Sequence, residues 1–307
     1  MKVLAIGVSG GPASGINAAI RAVVNHGRHF DYEVLGLHDA FSRLTRKLPD
    51  AFEVLTPQRI EGISELAGSI LGRSKPGIPT TDHEFDLILE GFRDRGVHDL
   101  IWIGGDDSSR ILSRLIKHAR KQNFELRVAL IPKTIDNDVY LTSSERSFEE
   151  STLGFSSAAL AGTRSVNGFL ADAVMSNKWW LWVAMGRSAG HLALAIYKRT
   201  EAEAFILGEE LDENSSPDLV VDLLLGTMLK KAAKKNGGRY GVAIISENII
   251  EKLALPQLNL TRSDMGNLNL GEFDLASFLA KELRKKCAAL GFSVSIDSHA
   301  MGRDNRT

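Results

Sequence analysis

The stretch Leu100-Ile101-Trp102-Ile103-Gly104-Gly105-Asp106-Asp107-Ser108-Ser109 sets the fold class: four apolar residues run into two glycines, and a helical pattern opens behind them. A strand buried on both faces reads as a near-continuous apolar run. Ser108 and Ser109 are good N-cap types, so they are expected to cap the following helix. The same strand, glycine or polar loop, then helix pattern recurs along the chain. Lys2–Ser9 leads into Gly10, Arg127–Ile131 into Pro132, and Trp180–Ala184 into Met185. Further strands are expected at Glu33–Leu37, Ala204–Leu207, Tyr240–Ile245 and Ser293–Ile296.

Helices separate these strands. In Asp82–Arg95, Phe85, Ile88, Leu89 and Phe92 recur at i, i+3, i+4, i+7. Pro217–Lys235 begins with proline and ends in Lys230, Lys231, Lys234 and Lys235 before Gly237; the lysines read as a solvated helix end. Apolar strands alternating with helices predict an α/β protein with mostly parallel sheets, arranged as two Rossmann-like domains. The polar stretch Asp138–Ser151 marks the boundary, giving domains 1–147 and 148–307. In such sheets ligands bind beyond the carboxyl ends of the strands.

Composition narrows the class. The 307 residues carry 37 Lys+Arg against 38 Asp+Glu, a net charge of -1, which argues against a protein that coats nucleic acid. The densest apolar stretch, Trp179–Met185, is far short of the roughly 20 residues that span a bilayer. A single Cys287 excludes an internal disulfide and reads as an inert helix residue in a reducing compartment. A cytoplasmic protein without membrane or nucleic-acid partners is expected.

Four loops hold the polar chemistry. Gly10-Gly11-Pro12-Ala13-Ser14-Gly15-Ile16-Asn17 suits either a tight turn or an anion at a helix N-terminus, although its spacing is neither G-x-G-x-x-G nor Walker-like. In Gly104–Ser109 the adjacent carboxylates Asp106 and Asp107 suit an anion site only if a cation joins them, with Mg²⁺ the obvious ion. Pro132-Lys133-Thr134-Ile135-Asp136-Asn137-Asp138 packs in a cation, a hydroxyl, an amide and two carboxylates, more than a turn needs. Asp136 there suits acceptance of a hydroxyl proton and Lys133 neutralisation of phosphate oxygens, as phosphoryl transfer requires. In Met185-Gly186-Arg187-Ser188-Ala189-Gly190-His191, Arg187 suits a fork donor to phosphate. His191 reads as a capping or packing residue, and Trp179, Trp180 and Trp182 as core and interface residues.

Together these loops resemble the phosphofructokinase family, over nearly the whole chain. Thr152-Leu153-Gly154-Phe155 and Ser246-Glu247 follow in the family's order. Gly266-Asn267-Leu268-Asn269-Leu270-Gly271-Glu272 resembles a stretch of the pyrophosphate-using members. The resemblance implies the phosphofructokinase fold and Mg²⁺-dependent phosphoryl transfer to the 1-hydroxyl of fructose 6-phosphate. It further implies a reversible glycolytic step and a homo-oligomer, dimer or tetramer. Domain 1–147 would take the phosphoryl donor and domain 148–307 the sugar phosphate. Carried over by position, Asp136 would be the general base, with Asp138 and Thr134 beside it, and Asp106 would hold Mg²⁺. Arg187 and Lys133 would stabilise the transferring group. Met185, Gly186, Glu247 and Arg306 would bind the sugar phosphate, Lys178 would reach that of a neighbouring subunit, and Gly11, Lys75, Asp107 and Lys133 would face the donor.

Two positions bear on the donor. ATP-using members usually carry glycine at the positions of Asp107 and Lys133. A side chain at Asp107 adds bulk and negative charge where an α-phosphate would lie, and Lys133 supplies compact positive charge to a small donor. The pair favours pyrophosphate. Other positions depart from the family: Lys75 and Lys178 stand where many members have arginine, and Ala184 where an acidic residue is common. Members also run well past the position of Arg306, so a truncated C-terminal end and an incomplete second domain are expected. ATP as donor, sedoheptulose 7-phosphate as acceptor and a non-catalytic subunit of this fold stand as alternatives.

Overall fold

A computed structural model describes residues 2–72, 79–139, 141–142, 147–148, 151–235, 237–255, 260–262 and 268–302. The chain divides into two compact units, Met1–Thr134 with Val139–Gly154, and Ile135–Asp138 with Phe155–Asn305.

The strands of the first unit are β1 (Lys2–Val8), β2 (Tyr32–Leu37), β3 (Phe52–Val54), β4 (Val97–Gly104), β5 (Arg127–Thr134), β6 (Leu141–Thr142), β7 (Ser147–Phe148) and β8 (Leu153–Gly154). Its helices are α1 (Ile16–His29), α2 (Ser42–Thr45), α3 (Asp82–Asp94) and α4 (Asp106–Lys121). One sheet runs β3-β2-β1-β4-β5-β8, parallel except for β3, while β6 and β7 form a separate antiparallel pair. From Leu4 to Val8 both faces of β1 are buried, which is why that run is apolar, while Lys2 at its start is exposed. Leu4, Ile6 and Val8 pack with Ile16, Ile20 and Val24 of α1. Ala5 joins Phe85 and Phe92 of α3 and Leu115 of α4 on the other face. From β1 the chain steps to β2 on one side and later to β4 on the other, so the strand order reverses there. A crevice for ligand belongs outside the carboxyl ends of β1 and β4.

On the α1 side, no helix among the described residues covers the starts of β4 and β5. An apolar cleft of about 510 Å³ lies there, lined by Leu4, Val23, Phe30, Ile101 and Ala129 among others. At its edge Asp99 pairs with Arg127 at 2.7 Å and accepts a hydrogen bond from the Tyr32 hydroxyl at 3.1 Å.

The second unit holds β9 (Lys178–Ala184), β10 (Ala204–Ile206), β11 (Gly241–Ser246) and β12 (Ser295–Ala300). Its helices are α5 (Phe155–Ser176), α6 (His191–Tyr197), α7 (Pro217–Ala232), α8 (Ile249–Lys252) and α9 (Leu275–Ala289). The sheet order is β10-β11-β9-β12, all parallel. Alternate residues of β9 divide between two cores. Trp179, Leu181 and Val183 lie under α7 and α9, and Trp182 and Ala184 under α5 and α6. Burying each indole removes enough apolar surface to contribute about 3 kcal/mol. Cys287 is buried in the first of these cores, where loss of water raises its thiol pKa.

Several expectations are corrected. Helix α4 is capped by Gly105 without a side-chain bond, and Ser108 and Ser109 lie inside the helix. Strands β3 and β8 are too short, at 3 and 2 residues, to leave a periodic signal. The last strand lies further on than Ser293–Ile296, at Ser295–Ala300. It tolerates Asp297, Ser298 and His299 because it forms the sheet edge. Helix α7 ends at Ala232, and Ser216 caps it ahead of Pro217 as a proline-led start requires.

Candidate active site

In the first unit the loop after β1 turns at Gly10, whose φ is +83°. That left-handed backbone favours glycine, and a Cβ added there would lie 2.7 Å from Nζ of Lys133, so the lysine end occupies the space a side chain would need. Lys133, next to last in β5, is 4% exposed and donates from Nζ to the Gly11 carbonyl at 3.0 Å. Its own carbonyl lies 3.4 Å from where a Cβ of Gly105 would stand. Lys133 thus meets the loop after β1 with its buried ammonium and the start of the loop after β4 with its backbone carbonyl.

Below the crevice a polar relay ties two of these loops together. Trp102 Nε1 donates to Ser9 Oγ at 2.8 Å, and Ser9 Oγ shares a 2.6 Å hydrogen bond with Ser108 Oγ. Asn17 is buried in the first turn of α1 and reaches the segment before Lys75. Its Nδ2 donates to the Leu66 carbonyl and its Oδ1 accepts from the Ile70 N–H, each at 2.9 Å. Asp106 and Asp107 open α4, half-buried, and Asp106 pairs with Arg110 at 2.6 Å. Thr134 accepts at its carbonyl from Thr152 Oγ1 at 2.6 Å. Lys75 lies outside the described residues.

The second unit gathers the other group. Asp136 Oδ2 accepts the Arg187 backbone N–H at 3.3 Å. His191 Nδ1 lies 2.9 Å from the Asn137 carbonyl; a carbonyl only accepts, so the proton sits on Nδ1. This contact holds the Asp136–Asp138 segment to the start of α6. Gly186 has φ +145°, and a Cβ there would lie 2.7 Å from the Ala189 carbonyl oxygen. The Glu247 N–H donates to the Ala184 carbonyl at 2.9 Å, which brings the end of β11 beside Met185. Behind them Glu209 accepts from the Gly190 N–H at 2.6 Å and from Asn248 Nδ2 at 3.2 Å, and Asn248 Oδ1 accepts from the Gly208 N–H at 3.0 Å. Burial raises the Glu209 pKa, but these donors outweigh it and the carboxyl sits below its ordinary value. Ser246 is fully buried at the end of β11, and its Oγ has no hydrogen-bond partner among the described residues.

Within this unit Asp136, Asp138, Met185, Gly186, Arg187 and Glu247 fall at the carboxyl ends of strands or in the loop contacting them. Lys178 does not join them in one chain: it begins β9, at the opposite end from Met185, roughly 20 Å along the strand. There it pairs with Asp297 at 2.8 Å, which raises its pKa. Arg306 lies outside the described residues, as do Gly266 and Asn267. Sequence reasoning gave no supporting role to Ser9, Asn17 and Ser246, which lie in quoted segments, and did not single out Glu209 and Asn248. Asn17 alone carried a signal, as a polar residue on the otherwise apolar face of Ile16, Ile20 and Val24.

Among the described residues no three His, Cys, Asp or Glu side chains converge on a metal-sized space. Mg²⁺ is commonly held by one or two carboxylates, waters and the substrate's own phosphates. Asp106, half-buried beside the glycine loop, fits that mode. No helix among the described residues is long and apolar enough to cross a membrane.

Two α/β units of mostly parallel sheet, each with glycine-bearing loops at the carboxyl ends of its strands, define the class of doubly wound proteins. The chain belongs to the phosphofructokinase family, whose model matches residues 3–303. It is 31% identical over 310 residues to a pyrophosphate–fructose 6-phosphate 1-phosphotransferase of Thermotoga maritima, covering 99% of this chain and 72% of that one. An ATP-dependent 6-phosphofructokinase 1 of a Synechocystis species is 33% identical over 204 residues, covering 64% of this chain and 53% of that one. Phosphofructokinase from Saccharomyces cerevisiae superposes with a TM-score of 0.74 at 20% identity. That match covers all of this chain and 38% of the yeast chain, and it shows the fold.

Proposed function

We propose that the protein transfers a phosphoryl group from pyrophosphate to the 1-hydroxyl of fructose 6-phosphate, with Mg²⁺. The observation that carries the donor assignment is the buried Lys133 against Gly10 and Gly11. A fixed compact cation there serves a small polyanion, whereas a nucleotide needs room for its α-phosphate near Asp107. The name of the Thermotoga maritima relative agrees, and ATP-dependent relatives make the donor the point to test.

In this reading the first unit binds pyrophosphate through the backbone N–H groups of the loop after β1 and through Lys133. Asp106 would hold Mg²⁺, which supplies charge neutralisation between the donor phosphates. The second unit binds the sugar phosphate through Met185, Gly186 and Glu247, with Arg306 and, from a second copy, Lys178 reaching the phosphate. Asp136 takes the proton of the acceptor hydroxyl, oriented by the Arg187 N–H and by the Asn137–His191 contact. Arg187 stabilises charge on the transferring group, where fixed donors act most strongly. The buried Ser246 hydroxyl offers a further donor or acceptor beside Glu247.

A coupled assay with fructose 6-phosphate, Mg²⁺ and either donor tests this. Turnover with pyrophosphate and little with ATP is expected. Preference for ATP at saturating Mg²⁺ would overturn the donor assignment. A gain in melting temperature with fructose 6-phosphate, but no turnover with either donor, would favour a binding-only chain.

A further inference from the structure

Helix α7 buries one face under β9 and β10 through Val220, Val221, Leu224, Leu225 and Met228. Its other face is also apolar. Leu219 is 46% exposed, Leu223 51% and Leu229 38%, and they follow one another around Gly226. A Cβ added at Gly226 would meet nothing within 4 Å. Solvent-facing helix surfaces ordinarily carry charge, so a leucine stripe beside a glycine calls for a partner.

The residues on this face are arranged symmetrically about Gly226. Leu223 and Leu229 stand three positions before and after it, and Asp222 and Lys230 four positions before and after. Leu219 and Ala233 follow at seven, and Asp218 and Lys234 at eight. When two copies of one helix cross antiparallel on a two-fold axis through a residue, each position faces its mirror position in the other copy. Within the helix Leu223 then meets Leu229 and Asp222 meets Lys230, while Leu219 and Asp218 fall towards Ala233 and Lys234, which follow directly on the helix end at Ala232. The glycine at the axis lets the backbones approach. Asp218 and Asp222 already receive Lys286 of α9 at 3.1 and 2.7 Å, but both carboxylates remain largely exposed and can take a second cation. Lys230 and Lys234 have no ion-pair partner among the described residues, whereas Lys231, turned inward, binds Glu203.

We infer that α7 is a self-association surface, pairing antiparallel with α7 of a second copy of this chain on a two-fold axis at Gly226. One helix per copy is a small interface, so the dimer is reversible and concentration-dependent. The inference does not depend on the donor or acceptor assignment, because none of these residues belongs to the candidate site.

Sedimentation equilibrium across roughly 1–500 μM protein, a range suited to a small interface, reads the association directly. The wild type is expected to pass from monomer to dimer, or to show one mass step due to this contact if other contacts exist. Leu223→Glu and Gly226→Arg should each abolish that step while leaving the far-ultraviolet circular dichroism of the monomer unchanged and without lowering its melting temperature, which Gly226→Arg should raise because glycine is a poor helix former. Lys230→Asp places a carboxylate opposite Asp222 of the second copy and should raise the dissociation constant by about tenfold or more, since the altered pair occurs twice. Adding Asp222→Lys restores opposite charges across the axis and should recover most of that loss. A wild type monomeric throughout, an association indifferent to Leu223→Glu, or a double variant no tighter than Lys230→Asp would each overturn the inference.

Discussion

The two units present their carboxyl edges in different materials. In the first, the crevice is shaped by backbone: glycine turns, carbonyl oxygens and one lysine occupying the space a side chain at Gly10 would need. In the second, side chains hold the loops in place, through Glu209, Asn248, His191 and Asp136. A backbone crevice binds phosphate oxygens without reading what they are attached to, so its selectivity rests on the few side chains that intrude. A side-chain network can orient one hydroxyl for proton transfer.

If that division holds, damage to one unit should leave binding at the other intact. The largest effect is expected from Asp136→Asn, which should lower turnover by about 10²–10⁴, the usual range for a general base, with donor affinity unchanged. Steady-state kinetics with both substrates varied separates the two; near-normal turnover would remove Asp136 from the chemistry. Next comes Lys133→Met, which keeps the bulk and removes the charge. Turnover at low pyrophosphate should fall roughly 10²-fold, as for loss of a buried charge contact, while the affinity for fructose 6-phosphate stays within a few-fold. Equal loss for both substrates would show that the units do not bind independently.

Asp107→Gly sharpens the comparison further, because it takes an intruding side chain out of the first crevice. The ratio of ATP to pyrophosphate use should rise by about tenfold, the effect of removing one unfavourable contact near a phosphate. An unchanged ratio would place the donor preference elsewhere. The smallest effect is in the second unit's network. The Glu209 carboxyl lies below its ordinary pKa when folded, so its stabilisation is complete above about pH 4.3 and fades as pH falls further. Glu209 is exposed as a residue, so the wild type should exceed Glu209→Gln by only a few tenths of a kcal/mol at pH 7. Urea midpoints at pH 7 and pH 3.5 should show that gap closing; a gap independent of pH would mean shape, not charge, matters there.

How much of this was legible in the sequence follows the same division. The alternation of apolar runs with helices gave the layered α/β architecture, since strands covered on both faces leave no polar position inside them. The glycine loops were legible because glycine marks backbone geometry directly. Strands β3 and β8 were not, having too few residues for a period. Nor were the serines of α4: Ser108 is a cap type, yet the extended Gly105 just after the strand takes the cap position and Ser108 turns to Ser9 instead. The network of Glu209 and Asn248 was hidden for another reason. Its members come from loops 40 residues apart, and nothing local to either residue requires the other. Lys178 is carried over as a residue that reaches a neighbouring subunit's sugar phosphate, and its place at the start of β9, a strand's length from Met185, sets it apart from the other sugar-phosphate candidates of its own chain.

The relay under the first crevice has an optical consequence. Of the four tryptophans, Trp102 belongs to the first unit, while Trp179, Trp180 and Trp182 belong to the second. Trp102 stacks on Phe41 and is the only one of them whose indole N–H is tied to the glycine loop, through Ser9. Its emission is therefore a built-in probe of that loop, readable once the other three are replaced by phenylalanine. A single-tryptophan protein of this kind would report an anion arriving at the first unit as a change in fluorescence, with no label attached and no turnover needed.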